Sequence, residues 1–162
     1  MRLVYGGGNV GLMGTLADSV LNAGGVVVGV IPQFLANKEL AHSGVTELHE
    51  VETMHERKSL MMQLADAFVA LPGGIGTLEE FFEVWTWVQL GLMQKPVGIL
   101  NVENLFDPML AFLNSLVEQR FMKPIHRDLL VVAARPSELL SQLWLREIPS
   151  EGKWIDGGEE KI

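Results

Sequence analysis

Cysteine is absent from the 162 residues, which excludes a disulfide framework, a thiolate nucleophile and any zinc-thiolate site. The same absence favours a cytoplasmic setting. Positive charge is scarce: 12 Lys and Arg stand against 20 Asp and Glu, giving a formal net charge of -8. A surface of that sign repels polyanions, so nucleic acid is not an expected partner, although a single phosphate can still meet a local basic pocket. Long apolar runs are also missing. The longest, residues 25–32 and 65–72, fall far short of the roughly 20 residues that cross a bilayer. They read as buried strands, and no membrane partner is expected. The N-terminus carries no basic segment followed by an apolar signal core, since Met1-Arg2-Leu3-Val4-Tyr5 runs straight into glycines. His42, His49, His55 and His126 show neither HExxH spacing nor a paired carboxylate pattern, so no metal ligand set is predicted. The serines lack the glycine context of a nucleophile elbow.

Against these absences stand 17 glycines and a 48% hydrophobic content, ample for the core of one domain. Short apolar runs recur at residues 3–5, 26–31, 67–71, 97–100 and 130–133. They are nearly continuous, as expected of parallel strands covered on both faces. Helical patterns separate them. Residues 11–23 place Leu12, Leu16 and Val20 one turn apart, and residues 105–119 place Leu105, Met109, Phe112, Leu113 and Leu116 on one stripe. A third helix is expected over residues 53–64, opened by a capping box in which Thr53 and Glu56 satisfy each other's backbone donors. This alternation predicts an α/β fold, a doubly wound Rossmann-like parallel sheet with helices on both faces, in a single nucleotide-binding domain over residues 1–148. Residues 149–162 lack core-forming periodicity and are expected to be a loose tail.

In such folds ligands gather where strands hand over to helices. The strongest signal there is Leu71-Pro72-Gly73-Gly74-Ile75-Gly76-Thr77-Leu78-Glu79-Glu80. Glycines let backbone N–H groups approach an anion, a helix start adds its positive end, and Thr77 offers a hydroxyl, so the loop suits phosphate. The plainer alternative is a tight turn that needs positive φ angles. A second loop, Gly6-Gly7-Gly8-Asn9-Val10-Gly11, matches the GxGxxG dinucleotide pattern. That pattern expects a carboxylate at the end of the next strand, where this chain has Val30-Ile31-Pro32-Gln33. The loop therefore reads as a second wall of a mononucleotide site rather than a dinucleotide cradle.

Met54-His55-Glu56-Arg57-Lys58 puts two cations in the early turns of a helix, against the helix dipole. They serve either an anion or carboxylate, or else solvent. Glu79 and Glu80 are read in the first turn of the helix after Thr77, where the dipole alone favours them. Spacing sets Glu80 on the face of Val84 and Trp87. There a carboxylate beside a phosphate loop can stabilise cationic character at a ribose carbon or activate water against it.

Taken together, Gly6-Gly7-Gly8-x-x-Gly11-Leu12-Met13-Gly14, Met54-x-x-Arg57-Lys58 and Pro72-Gly73-Gly74-x-Gly76-Thr77-x-x-Glu80 resemble the signature of the Lonely Guy (LOG) family of cytokinin riboside 5′-monophosphate phosphoribohydrolases. The resemblance runs to about Ala134 and includes Gln89-Leu90-Gly91 and Lys95-Pro96. It implies hydrolysis of the N-glycosidic bond of a purine nucleoside 5′-monophosphate, of cytokinin type or AMP, with no cofactor. It also implies catalytic roles for Arg57 and Glu80. By the same resemblance Gly73, Gly74, Gly76 and Thr77 hold the phosphate, while Gly8, Met54 and Lys58 line the nucleotide. The family is homodimeric, and the helix bearing Phe81, Phe82, Trp85 and Trp87 is the expected contact. Family members begin with a further strand and helix, which the resemblance implies are missing before Met1. Some relatives carry a lysine decarboxylase label, but no pyridoxal-binding lysine with a partner for the ring nitrogen is read here. The reading from a different class is a mononucleotide-binding module without turnover, which has no use for the Arg57 and Glu80 pair.

Overall fold

The computed structural model describes residues 1–38 and 40–148; the expected tail at residues 149–162 lies outside them. The chain divides into two compact units, Met1–Ala65 and Asp66 onward.

The first unit runs β1 (Arg2–Tyr5), α1 (Gly11–Asn22), β2 (Val26–Pro32), α2 (Gln33–Ala36), β3 (Glu47–Val51), α3 (Met54–Leu64). Its three strands lie in the order β1-β2-β3, all parallel. In the central strand Val27, Val28, Val30 and Ile31 are all buried, so residues pointing to both faces are covered. That explains the unbroken apolar run, since a parallel strand between two others has no solvent face. The edge strand β3, Glu-Leu-His-Glu-Val, alternates polar and apolar residues and is only partly buried; for that reason the apolar-run criterion passed over it. Helix α1 buries Gly14 and Ala17 rather than the expected stripe, leaving Leu12 half exposed. At Gly14 the reason is the close approach of α1 to its own preceding loop, where a Cβ would lie 2.8 Å from the Asn9 carbonyl carbon, while Ala17 packs with Tyr5 and Val27.

The second unit runs β4 (Phe68–Ala70), α4 (Ile75–Gln89), β5 (Val97–Leu100), a 3-10 turn (Val102–Asn104), α5 (Asp107–Glu118), α6 (Pro124–Asp128), β6 (Leu130–Ala133), α7 (Pro136–Trp144). Its strands, in the order β4-β5-β6, are again all parallel. Both units are therefore α/β with open parallel sheets, a Rossmann-like fold. Asn101 organises the turn after β5: its amide nitrogen donates to Asp107 at 2.7 Å and its oxygen accepts from the Phe106 N–H at 2.8 Å. Those bonds hold a turn in which Glu103 and Asn104 both take positive φ. The Trp85 indole N–H donates to the His126 carbonyl at 3.2 Å, tying α4 to α6. Helix α5 buries Leu113 but leaves Phe112 exposed, and Leu105, exposed too, falls before the helix begins, so the expected apolar stripe is narrower than its spacing predicts.

Leu139 and Leu143 of α7 pack on Leu100, Val131 and Ala133. Gly98 makes the approach possible, because a Cβ there would sit 2.9 Å from Leu139 Cδ1. Leu139 is only 1% exposed and fills this contact with no room to collapse. Leu139→Ala is expected to lower unfolding free energy by about 2–5 kcal/mol, measured as a shift of the urea midpoint.

Candidate functional site

In the first unit the glycine loop between β1 and α1 is shaped by two neighbours. The first is the segment 40–42. Leu40 accepts from the Asn9 N–H at 2.8 Å, the His42 N–H donates to the Gly7 carbonyl at 2.9 Å, and Gly8 and Ala41 form an antiparallel bridge. Gly7 takes φ +72° with Ile31 Cβ 3.0 Å from where its own Cβ would be, so only glycine fits. The second neighbour is Arg57. Its guanidinium lies against Gly6, Nη2 closest, and a Cβ on Gly6 would stand 2.9 Å from Arg57 Cζ.

Arg57 sits one turn into α3, half-buried, with its Nη1 donating to Met54 Sδ at 3.7 Å. Lys58 is buried, at 9% exposure. A solvated pair of cations is therefore not what the sequence placed here. The capping box at the start of this helix forms only in part. Thr53 Oγ1 accepts from the Glu56 N–H at 3.1 Å as expected, but Glu56 Oε2 reaches one residue further back and accepts from the Glu52 N–H at 2.8 Å. Thr53 is extended, at φ -126°, and its preceding amide offers the glutamate the better-placed donor.

In the second unit the loop after β4 enters α4 at Ile75, with Gly74 as the N-cap and no side chain capping the helix. The helix thus begins two residues before Thr77. Glu79 and Glu80 fall in its second turn rather than its first, beyond most of the helix dipole's reach. Dipole stabilisation therefore does not account for them. Glu79 is exposed and Glu80 half-buried. The covered stripe of α4 is Phe81, Val84, Trp85 and Val88, while Phe82 and Trp87 stay partly exposed. Of the residues assigned to the Glu80 face, only Val84 is buried.

The glycines of this loop are not there for a turn. None of Gly73, Gly74 and Gly76 has positive φ, so the tight-turn alternative falls. Gly73 is needed because the Thr77 side chain folds back over it, Oγ1 closest, leaving a Cβ 2.9 Å from Thr77 Cβ. At Gly74 and Gly76 a Cβ would meet no described atom within 4 Å. Neither backbone conformation nor internal packing asks for glycine at these two positions. They leave bare backbone and open space at an uncapped helix start, with the Thr77 hydroxyl alongside.

A family model described as possible lysine decarboxylase matches residues 13–143. The chain is 54% identical over 133 residues to the cytokinin riboside 5′-monophosphate phosphoribohydrolase of Rhodococcoides fascians, covering 82% of this chain and 67% of that one. The chain belongs to the LOG family. It is also 48% identical over 141 residues to the enzyme LOG1 of Arabidopsis thaliana, covering 87% of this chain and 66% of that one. With the probable phosphoribohydrolase LOGL9 of Oryza sativa subsp. japonica it shares 52% identity over 141 residues, covering 87% and 62%. The chain thus spans about three fifths to two thirds of the length of these LOG relatives. Among solved structures, a molybdenum cofactor binding protein from Rippkaea orientalis superposes with a TM-score of 0.65 at 21% identity, over 88% of this chain and 76% of that one. At that identity the likeness speaks for the fold alone.

Among the described residues no group of three or more His, Asp or Glu is placed to hold a metal ion, and no helix is long and apolar enough to cross a membrane. Sequence reasoning passed over Tyr5, at the mouth of the first loop. It is 6% exposed and its hydroxyl has no hydrogen-bond partner among the described residues. Burial, reinforced by the negative charge of Asp18, pushes its pKa from 10.0 up to about 12. Between those values the folded chain keeps a proton that the unfolded chain has released, so stability is full below pH 10 and falls as pH rises through the window. The slope contributed by one proton cannot exceed about 1.4 kcal/mol per pH unit. Tyr5→Phe is expected to remove this contribution from the alkaline limb. At pH 8 it should leave stability equal or raise it by up to about 1 kcal/mol, because no bond is lost; denaturant titrations at pH 8, 10 and 11.5 measure both effects.

Proposed function

We propose that this LOG-family chain hydrolyses the N-glycosidic bond of a purine nucleoside 5′-monophosphate, either AMP or a cytokinin-type nucleotide, to free base and ribose 5-phosphate. The observation that carries this reading is the start of α4: no side-chain cap, glycine at 74 and 76 without a conformational or packing need, and Thr77 turned over Gly73. An anion with several acceptor oxygens is the ligand such a start suits. The LOG relatives, named for action on a riboside 5′-monophosphate, supply the rest of the molecule.

Gly73, Gly74, Gly76 and Thr77 then take the 5′-phosphate, and Gly8, Met54 and Lys58 line the nucleotide. Water attacks C1′ as the C1′–N bond to the base breaks, and the departing base ends up protonated. Glu80 is the group assigned to the developing positive charge at C1′ or to the attacking water. Arg57, held on Gly6 and Met54, supplies a fixed positive charge to the substrate. Residues 1–148 count as one nucleotide-binding domain on this reading. Phe82 and Trp87, partly exposed on α4, support a homodimer of twice 17.9 kDa, for which light scattering at micromolar concentration is the test. The lack of cysteine supports a cytoplasmic location.

Chromatographic release of free base from AMP and from isopentenyladenosine monophosphate tests the chemistry. Glu80→Gln is expected to lower kcat by about 10²-fold or more; binding of both nucleotides by the unmodified chain without cleavage would replace the enzyme with a mononucleotide-binding module. Gly76→Ala separates ligand from fold. The substitution is expected to leave the Tm unchanged or raised, since alanine is favoured over glycine in a helix by about 1 kcal/mol. It should also raise KM for AMP about tenfold, equivalent to about 1.4 kcal/mol of lost binding.

A further inference from the structure

His42 lies outside all three signature motifs, yet it is buried and every polar group it has is engaged. Its backbone N–H donates to the Gly7 carbonyl at 2.9 Å. Its Nδ1 accepts from the Gly44 N–H at 3.1 Å, which leaves the ring hydrogen on Nε2, and Nε2 stands 2.9 Å from Asp18 Oδ1. An imidazole with Nδ1 occupied as an acceptor donates through Nε2. The three bonds link three separate pieces of chain: the glycine loop after β1, the segment 40–44, and helix α1. Among the described residues the segment is otherwise held by backbone bonds to the glycine loop and to Val45. It contains no regular element, and it meets the loop through the Asn9 to Leu40 bond and the Gly8 to Ala41 bridge. Of the two side-chain bonds, the one to Gly44 is local, spanning two residues. The bond to Asp18 spans 24 residues and alone fixes the side chain to another element.

The clasp bears on Arg57 through the loop. The guanidinium rests on Gly6 with less room than a methyl group requires, so the position of Gly6 sets where that charge can lie. Gly6 is joined directly to Gly7, whose carbonyl His42 holds. We infer that His42, anchored by Asp18, is a positioning residue for Arg57: it fixes the Gly6–Gly8 loop on which the guanidinium lies and so acts on turnover without touching substrate. This rests on the catalytic role proposed for Arg57. Misplacing a catalytic charge by about an ångström costs one to two orders of magnitude in rate, so the effect belongs in kcat more than in KM.

The test uses the full chain and four variants, His42→Ala, Asp18→Ala, the double variant, and His42→Gln, whose amide reaches where Nε2 was. Kinetics of AMP cleavage are measured beside hydrogen–deuterium exchange of the nucleotide-free protein. Each single alanine variant is expected to lower kcat about tenfold with KM changed less than threefold, and the double variant to be no worse than either single one, as for two residues acting through one bond. His42→Gln should recover most of kcat by restoring the donor to Asp18. Exchange should quicken at the amides of residues 6–10 and 40–44 and stay unchanged over β4 and α4. Unaltered kcat and loop exchange in His42→Ala would overturn the inference, as would losses that add in the double variant, or exchange that quickens evenly across the first unit, which marks a general structural staple. An unmodified chain that cleaves no nucleotide fails the enzyme reading itself and the inference with it; turnover in that chain with unaffected variants sinks the inference alone.

Discussion

The first turn of an α-helix exposes backbone N–H groups that no residue of the helix can accept, and a chain must satisfy them with a side chain, with water or with a ligand. At α3 this chain spends Thr53 on the task. At α4 it spends nothing: the cap position is Gly74, the next glycine follows at 76, and the one hydroxyl nearby is folded over Gly73. A glycine cap in place of a side-chain cap forgoes only a few tenths of a kcal/mol of helix stability, and α4 can bear that because Phe81, Val84, Trp85 and Val88 are buried along it. The apolar face of the helix holds it in place while its start carries no side-chain cap. The proposed chemistry takes that helix start as its phosphate anchor.

The two glycine loops look alike in sequence and obey different physics. In the first, Gly7 needs a positive φ and Gly6 must admit a guanidinium; each is imposed from within the protein. In the second, Gly74 and Gly76 answer to nothing among the described residues. A glycine explained by neither backbone angle nor neighbour points outward, to whatever else occupies the space. The distinction also separates the two kinds of damage expected from substitution: strain in the first loop, loss of ligand in the second. Arg57 joins the first loop to the signature on α3, since it lies against Gly6 on one side and Met54 on the other.

Residue spacing decided a good deal by itself. Continuous apolar runs located five strands, two of them, Val97–Leu100 and Leu130–Ala133, to the residue, because a parallel strand buried on both faces has no polar positions to blur its ends. The glycine loops and the Arg57 and Lys58 pair stood out as candidate chemistry because glycines between strand and helix, and cations in the early turns of a helix, call for a reason; Glu80 stood out because it follows such a glycine loop. Their patterns were also specific enough to place the chain in the LOG family.

Tertiary structure decided the remainder. Periodicity put Leu12 and Phe112 on buried stripes, whereas the close approach of α1 to its own loop and the packing of α5 through Leu113 left both outside. The half-polar edge strand β3 and the short α6 carried too little pattern to be found. Helix α7 went unread in the sequence, and its place rests on the packing of Leu139 and Leu143 against Leu100, Val131 and Ala133. The place of Arg57 on Gly6 and the engagement of His42 with Asp18, Gly44 and Gly7 join residues two to fifty-one positions apart. Local propensity sees only a few neighbours along the chain, while burial and hydrogen bonding act between residues that the fold has already brought together. Hence the residue types pointed to a candidate chemistry, and the geometry that holds Arg57 and His42 came only with the folded chain.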